Sequence, residues 1–127
     1  MNRNIVLTAS VFGVTAVILG AFGAHALKES ISASALDTWA KGVEYQFYHA
    51  LALLFLANFP ERSRFTNLAH VFFSVGILFF SGSLYLLSTR EIHHLSFASY
   101  IGPITPIGGL FFILGWMMLF IIGAKKR

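Results

Sequence analysis

Lys41, Glu44, Tyr45, Tyr48 and His49 recur, together with Ala52, at three- and four-residue intervals, so one face of a helix would carry them all. The chemistry open to such a set is proton binding, charge pairing and hydrogen bonding. Burial or pairing can move a carboxylate or an imidazole toward neutral pH, and two phenols stand beside them. A second, milder polar face comprises His70, Ser74, Ser81, Tyr85 and Ser88. Thr105 stands before Pro106 at the start of another apolar run. Glu44, Tyr45, Gln46, Tyr48, His49, Ser81, Tyr85 and Thr105 are therefore the candidate lining of one polar pocket facing outward. Ionisable groups in a membrane span are costly, and their presence needs a reason.

The elements that must position these groups are apolar. Hydrophobic residues make up 57% of the 127 positions and charged residues 11%, against roughly a quarter charged in soluble domains. Four runs approach the roughly 20 residues that cross a bilayer core: Asn4–Ala26, Leu36–Phe59, Leu68–Leu87 and Pro106–Gly123. The expected fold is all-α, a single integral membrane domain of four antiparallel transmembrane helices over residues 1–127. Connections this short leave no room for a soluble domain.

The formal charge of +4 does not point to nucleic acid, because the basic residues lie at helix ends and form no aromatic-interleaved surface. They serve orientation instead. Arg3, Arg62, Arg64, Lys125, Lys126 and Arg127 fall on one side of a four-span arrangement, and Lys28, Lys41 and Arg90 on the other. The positive-inside rule then puts both termini in the cytoplasm and the 27–35 and 88–105 connections outside. With no cysteine, disulfides, thiolate metal sites and thiol redox chemistry are excluded. The first run imitates a secretory signal, ending in Ala24-His25-Ala26. It is longer than a usual signal core, so a retained span is expected.

Ala9, Gly13, Ala16, Gly20, Gly23 and Ala24 give the first span a smooth face on which another backbone can pack, with Gly13, Gly20, Gly23 and Ala24 as its helix-packing residues. A bend or an end is expected at Gly20–Ala24, since glycine is weakly helical. For the second span, Ser34 is the expected cap with Asp37 three residues on, Trp39 and Tyr45 mark the outer interface, and Phe47, Leu51 and Leu54 face lipid. His49 then sits about 15 Å from the Phe59 boundary, near mid-membrane. His70 is expected as a solvated boundary residue. Pro106 suits the first turn of the last helix with Thr105 as its cap, and Phe111, Phe112, Trp116, Met117, Met118 and Phe120 are lipid-facing or packing bulk.

The segments Gly20-Ala21-Phe22-Gly23-Ala24-His25-Ala26-Leu27, Tyr45-Gln46-Phe47-Tyr48-His49-Ala50-Leu51-Ala52-Leu53, Phe80-Ser81-Gly82-Ser83-Leu84-Tyr85 and Ile104-Thr105-Pro106-Ile107-Gly108-Gly109, with Gly115-Trp116, occur in that order. Together they resemble the small bacterial inner-membrane family called domain of unknown function 423, which has a eukaryotic transmembrane relative. The resemblance covers essentially the whole chain. It implies a four-span protein of the bacterial plasma (inner) membrane and supplies no reaction.

Three functions fit the pattern. The first is binding or transport of a small ligand or lipid through the polar pocket, with Glu44 and His49 suited to proton coupling. The second is a structural role, in which the polar faces serve helix association, self-association or a membrane protein partner. The third is a metal or heme site at His25 and His49, with Glu44 as a further candidate ligand, although no close-spaced histidine pair lies within a span and His25 projects away from the small-residue face unless the helix bends. No cofactor is expected. No serine, histidine and carboxylate grouping is evident, so no catalytic residue and no enzyme is expected either.

Overall fold

The computed structural model describes residues 1–94 and 98–125. Lys126 and Arg127, counted above with the cytoplasmic charges, and residues 95–97 of the last connection lie outside them. Helix α1 (Arg3–Phe22) is capped by Asn2, whose Oδ1 accepts from the Ile5 amide at 3.4 Å. Thr8, Ser10 and Thr15 each donate to a carbonyl four residues back, at 2.9, 2.8 and 2.8 Å, so their hydroxyls are satisfied within an apolar helix. The regular α-helix ends at Phe22, inside the Gly20–Ala24 stretch, and the chain widens there into a π turn over Gly23–Leu27.

Helix α2 (Ala33–Leu56) begins at Ser32, not at the expected Ser34. Ser32 has the extended backbone a cap requires and accepts from the Ala35 amide at 3.2 Å, whereas Ser34 is already helical and lies beside the Ser32 hydroxyl at 3.3 Å. Asp37 consequently falls beyond the first turn and forms no capping box. Helix α3 (Arg64–Gly76), a π turn over Ile77–Ser81 and α4 (Gly82–Ser88) make one continuous rod. Short helices α5 (Arg90–His93) and α6 (Ala98–Ile101) lead to α7 (Ile104–Ala124). That helix starts with Pro103 as its cap residue, which places Pro106 in the first turn but makes Thr105 helical. Thr105 bonds the Ser83 hydroxyl at 2.6 Å instead.

Among the described residues three helices are long and apolar enough to cross a membrane: Arg3–Leu27, Arg64–Ser88 and Ile104–Ala124. The expected second span is not among them. Asp37, Lys41, Glu44, Gln46 and His49 dilute the apolar character of α2, although its 24 residues match its neighbours in length.

Helix α2 lies centrally, with α1 on one flank and the rod on another, while α7 packs on the rod. All four contribute to the core, which includes Ile5, Leu53, Leu56, Phe73, Ile77 and Phe112. Between rod and α7 the packing is a reciprocal run of phenylalanines set against glycines. The Phe112 ring lies on Gly76, the Phe73 ring on Gly115 and the Phe80 backbone on Gly108. With lipid tails as apolar as leucine, such close fit is what drives helices together. The α1–α2 contact uses the same device once, Trp39 lying on Gly23. Trp39, expected at the water interface, is buried and donates its indole N–H to the Leu19 carbonyl at 2.9 Å. His70, expected as a solvated boundary residue, is half-buried with Nε2 3.0 Å from the Thr8 hydroxyl of α1.

Thr66 is wholly buried, and its hydroxyl has no hydrogen-bond partner among the described residues. Thr66→Val keeps the shape and removes an unmet polar group, so it is expected to be neutral or to stabilise by up to about 1 kcal/mol in thermal unfolding of the detergent-solubilised chain.

Candidate functional site

The polar residues of α2 divide into an interior group and a flank. Gln46 is buried where α1, α2 and α4 meet. Its Nε2 donates to the Phe12 carbonyl at 3.0 Å and the Thr15 hydroxyl at 2.7 Å, while its Oε1 accepts from the Tyr85 hydroxyl at 2.7 Å. One turn toward the start of α2, Ser81 is fully buried and donates to the Gly42 carbonyl at 2.7 Å. The Tyr85 ring lies over Gly42, 4.7 Å from Trp39. Gln46, Ser81 and Tyr85 of the predicted set thus come near one another, but with their polar groups spent between helices: Tyr85 on Gln46, Gln46 on α1 and Ser81 on the Gly42 carbonyl.

His49 occupies a different junction. Its ring stacks on Phe112 with centroids 3.6 Å apart and planes within 7°. Nδ1 lies 2.7 Å from the Tyr45 carbonyl and must donate to it, because a carbonyl only accepts. Nε2 accepts the Trp116 indole N–H at 3.1 Å. These two partners fix the neutral tautomer with its proton on Nδ1, and either protonation or metal ligation at Nε2 would first require Trp116 to leave. His25 is exposed on the π turn of the first span. Among the described residues no group of three or more histidine, cysteine, aspartate or glutamate side chains could hold a metal ion.

Glu44 lies apart from His49. It is exposed and paired with Lys41 at 3.3 Å, beside a shallow cleft that also borders Gly20, Gly23 and Ala24. Of the small-residue face, Gly20 meets Val43, Gly23 meets Trp39, and Gly13 has open space above it. Thr105 reaches the rod, not α2.

Tyr45, Tyr48 and His49 do converge on a cavity, together with Pro106, Gly109, Leu110, Phe112, Ile113 and Trp116, none of which is in the predicted pocket. It is a groove of about 790 Å³ between α2 and α7. Its rim residues Tyr48, Leu110, Ile113 and Trp116 are exposed on the flank of the molecule, so it opens sideways. Tyr45 stacks on Phe80 at 4.7 Å, and neither the Tyr45 nor the Tyr48 hydroxyl has a hydrogen-bond partner within the chain among the described residues. Phe112 and Trp116 were read from sequence as packing bulk. The legible clue was the pair's four-residue spacing and an indole N–H that needs an acceptor in an apolar helix.

Comparison with known proteins adds the family. The model described as protein of unknown function (DUF423) matches residues 19–109. A UPF0382 membrane protein of Staphylococcus saprophyticus is 41% identical, covering 95% of this chain and 96% of its own length. The UPF0382 membrane protein YwdK of Bacillus subtilis is 38% identical over 94% and 95%, and the UPF0382 inner membrane protein YgdD of Escherichia coli 36% over 98% and 92%. No solved structure matches. With apolar helices of spanning length, the residues of all four motifs in place and relatives aligned nearly end to end, the chain belongs to the DUF423 (UPF0382) family of membrane proteins.

Proposed function

We propose that this protein spans the inner membrane four times, with both termini in the cytoplasm, and holds a lipid-soluble amphiphile in the groove between α2 and α7. Support for α2 as a span comes from its position between α1 and the rod and from its 24 residues, roughly 36 Å of helix. Its exposed Phe47, Leu51, Leu54 and Phe55 suit contact with acyl chains. The start of α1 meets the end of α2 through the Asn2 amide and the Ala57 carbonyl at 2.7 Å, and the end of α1 meets the start of α2 through Trp39. That pairing supports antiparallel neighbours.

The groove carries the functional reading. Its size is that of a small-molecule site, and such sites are mostly apolar with a few placed polar groups. Here the floor is Phe112 and the His49 ring, Trp116 stands on the rim, and among the described residues the unengaged polar groups are the Tyr45 and Tyr48 hydroxyls. A ligand with an aromatic or hydrocarbon body and one hydrogen-bonding group fits this lining, entering from the bilayer. The Gln46, Ser81 and Tyr85 groups are already committed to one another and to backbone, which favours this groove over a water-filled central pocket.

Gly109 supplies the test. A Cβ there meets nothing closer than Phe80 at 3.8 Å, so Gly109→Leu should fold while its side chain fills the groove. Chain purified in native-lipid nanodiscs is expected to retain an amphiphile, identified by mass spectrometry, that Gly109→Leu loses at unchanged Tm. A wild-type groove that retains nothing, or equal retention by Gly109→Leu, overturns the proposal. A stable heteromer with an empty groove would assign the protein to helix assembly instead.

A further inference from the structure

The two ends of the molecule carry opposite charge. Arg3 opens α1, Arg62 and Arg64 flank the α3 cap, and Lys125 follows α7; all four are exposed. Three separate chain segments are brought to this end by contacts already formed. The Asn2 amide donates to the Ala57 carbonyl at 2.7 Å, joining α1 to the end of α2 just before the 58–63 connection. The Lys125 ammonium sits 4.0 Å above the Phe65 ring, joining the end of α7 to the start of α3. Glu61 is the one acidic residue of these segments, and among the described residues none of the four cations is in an ion pair. Lys28, Lys41 and Arg90 belong to the other end, with Glu29, Asp37, Glu44 and Glu91, which leaves that end at −1.

We propose that the Arg3, Arg62, Arg64 and Lys125 end is a binding surface for the headgroups of anionic phospholipids in the adjoining leaflet. The cations stand at or next to the ends of helices long and apolar enough to cross a membrane, where a spanning helix would meet the headgroups. Arginine presents a planar fork that pairs with phosphate through two hydrogen bonds. Each cation near an anionic surface favours binding by a factor of about 5. This inference is independent of the α2–α7 groove and of which leaflet the end faces.

The full chain is placed in nanodiscs of phosphatidylcholine and phosphatidylglycerol in equal parts, and the lipids retained on release are counted by native mass spectrometry. Phosphatidylglycerol is expected to be retained preferentially, and the preference to fade as salt is raised. The triple variant Arg3→Gln, Arg62→Gln, Arg64→Gln should lower the preference by about tenfold or more. Lys28→Gln, Lys41→Gln, Arg90→Gln, which removes as many charges from the opposite end, should leave it unchanged. Absence of a preference in the wild-type chain, a preference indifferent to salt, or equal loss in both triple variants overturns the proposal. So does inorganic phosphate that raises the Tm in detergent as much as phosphatidylglycerol does, which would make this a site for soluble anions.

Discussion

Gly108→Ala is expected to remove most of the folded protein. The added methyl would fall on the Phe80 backbone, against the amide nitrogen and 2.7 Å from the Cα, where no side-chain rotation gives relief. Overpacking usually costs about 1–3 kcal/mol, and a clash with backbone belongs at or beyond the top of that range. Gly115→Ala meets the Phe73 ring at 2.6 Å and Gly76→Ala meets the Phe112 ring, so both should be damaging but less so, since a ring can shift where a backbone cannot. Gly82→Ala, with open space around its Cβ, should be neutral or gain up to about 1 kcal/mol from helix propensity. Thermal unfolding and folded yield in one detergent would rank the four. A Gly108→Ala chain as stable as Gly82→Ala would show that α7 does not sit on the π turn of the rod as described.

Gln46→Leu is the second large effect. It removes three hydrogen bonds at once, and the one that cannot be replaced is the acceptor of the half-buried Tyr85 hydroxyl. Thr15 keeps its bond to the Val11 carbonyl, so its loss is small. A donor left without an acceptor in such surroundings costs about 1–3 kcal/mol, and interhelical bonds in membranes are worth about 0.6–2. Gln46→Leu should therefore lose about 2 kcal/mol and Tyr85→Phe about 1. Because both break the same bond, the double variant should lose less than the sum. Additive losses in a reversible unfolding cycle would disprove the Tyr85 to Gln46 bond.

The stripe on α2 illustrates how far the sequence could be read. Lys41, Glu44, Tyr45, Tyr48 and His49 do share a face, but the buried face is centred on Trp39, Gly42, Gln46, Ala50 and Leu53, rotated by about one residue, or about 100°. His49 lies on the shared edge, which is why it was found, and Glu44 on the far edge, which is why it is exposed. In water the apolar side of a helix marks the inside. In a bilayer both sides are apolar, and the inside is marked by small residues that admit a neighbour, here Gly42 and Ala50. The same rule makes Gly23 legible in the first span, and Gly108 and Gly115 belong beside it. The spacing of Ser81 and Tyr85 did place them against α2. What spacing could not give was the partner: the Gly42 carbonyl and the Oε1 of Gln46 are visible only once the helices are docked.

The π turn at Ile77–Ser81 gives the rod a change of phase. A wider turn holds one residue more than an α turn, so everything beyond it is rotated relative to what precedes it. Before the turn, Phe73 and Gly76 engage α7; after it, Tyr85 engages α2. Beyond the turn the rod serves two neighbours at once, with Tyr85 bonded to Gln46 of α2 and Ser83 still bonded to Thr105 of α7. Its length between Gly76 and Gly82 is thus a structural quantity in its own right: deleting a single residue there would turn Tyr85 away from Gln46 without altering any side chain that makes the contact.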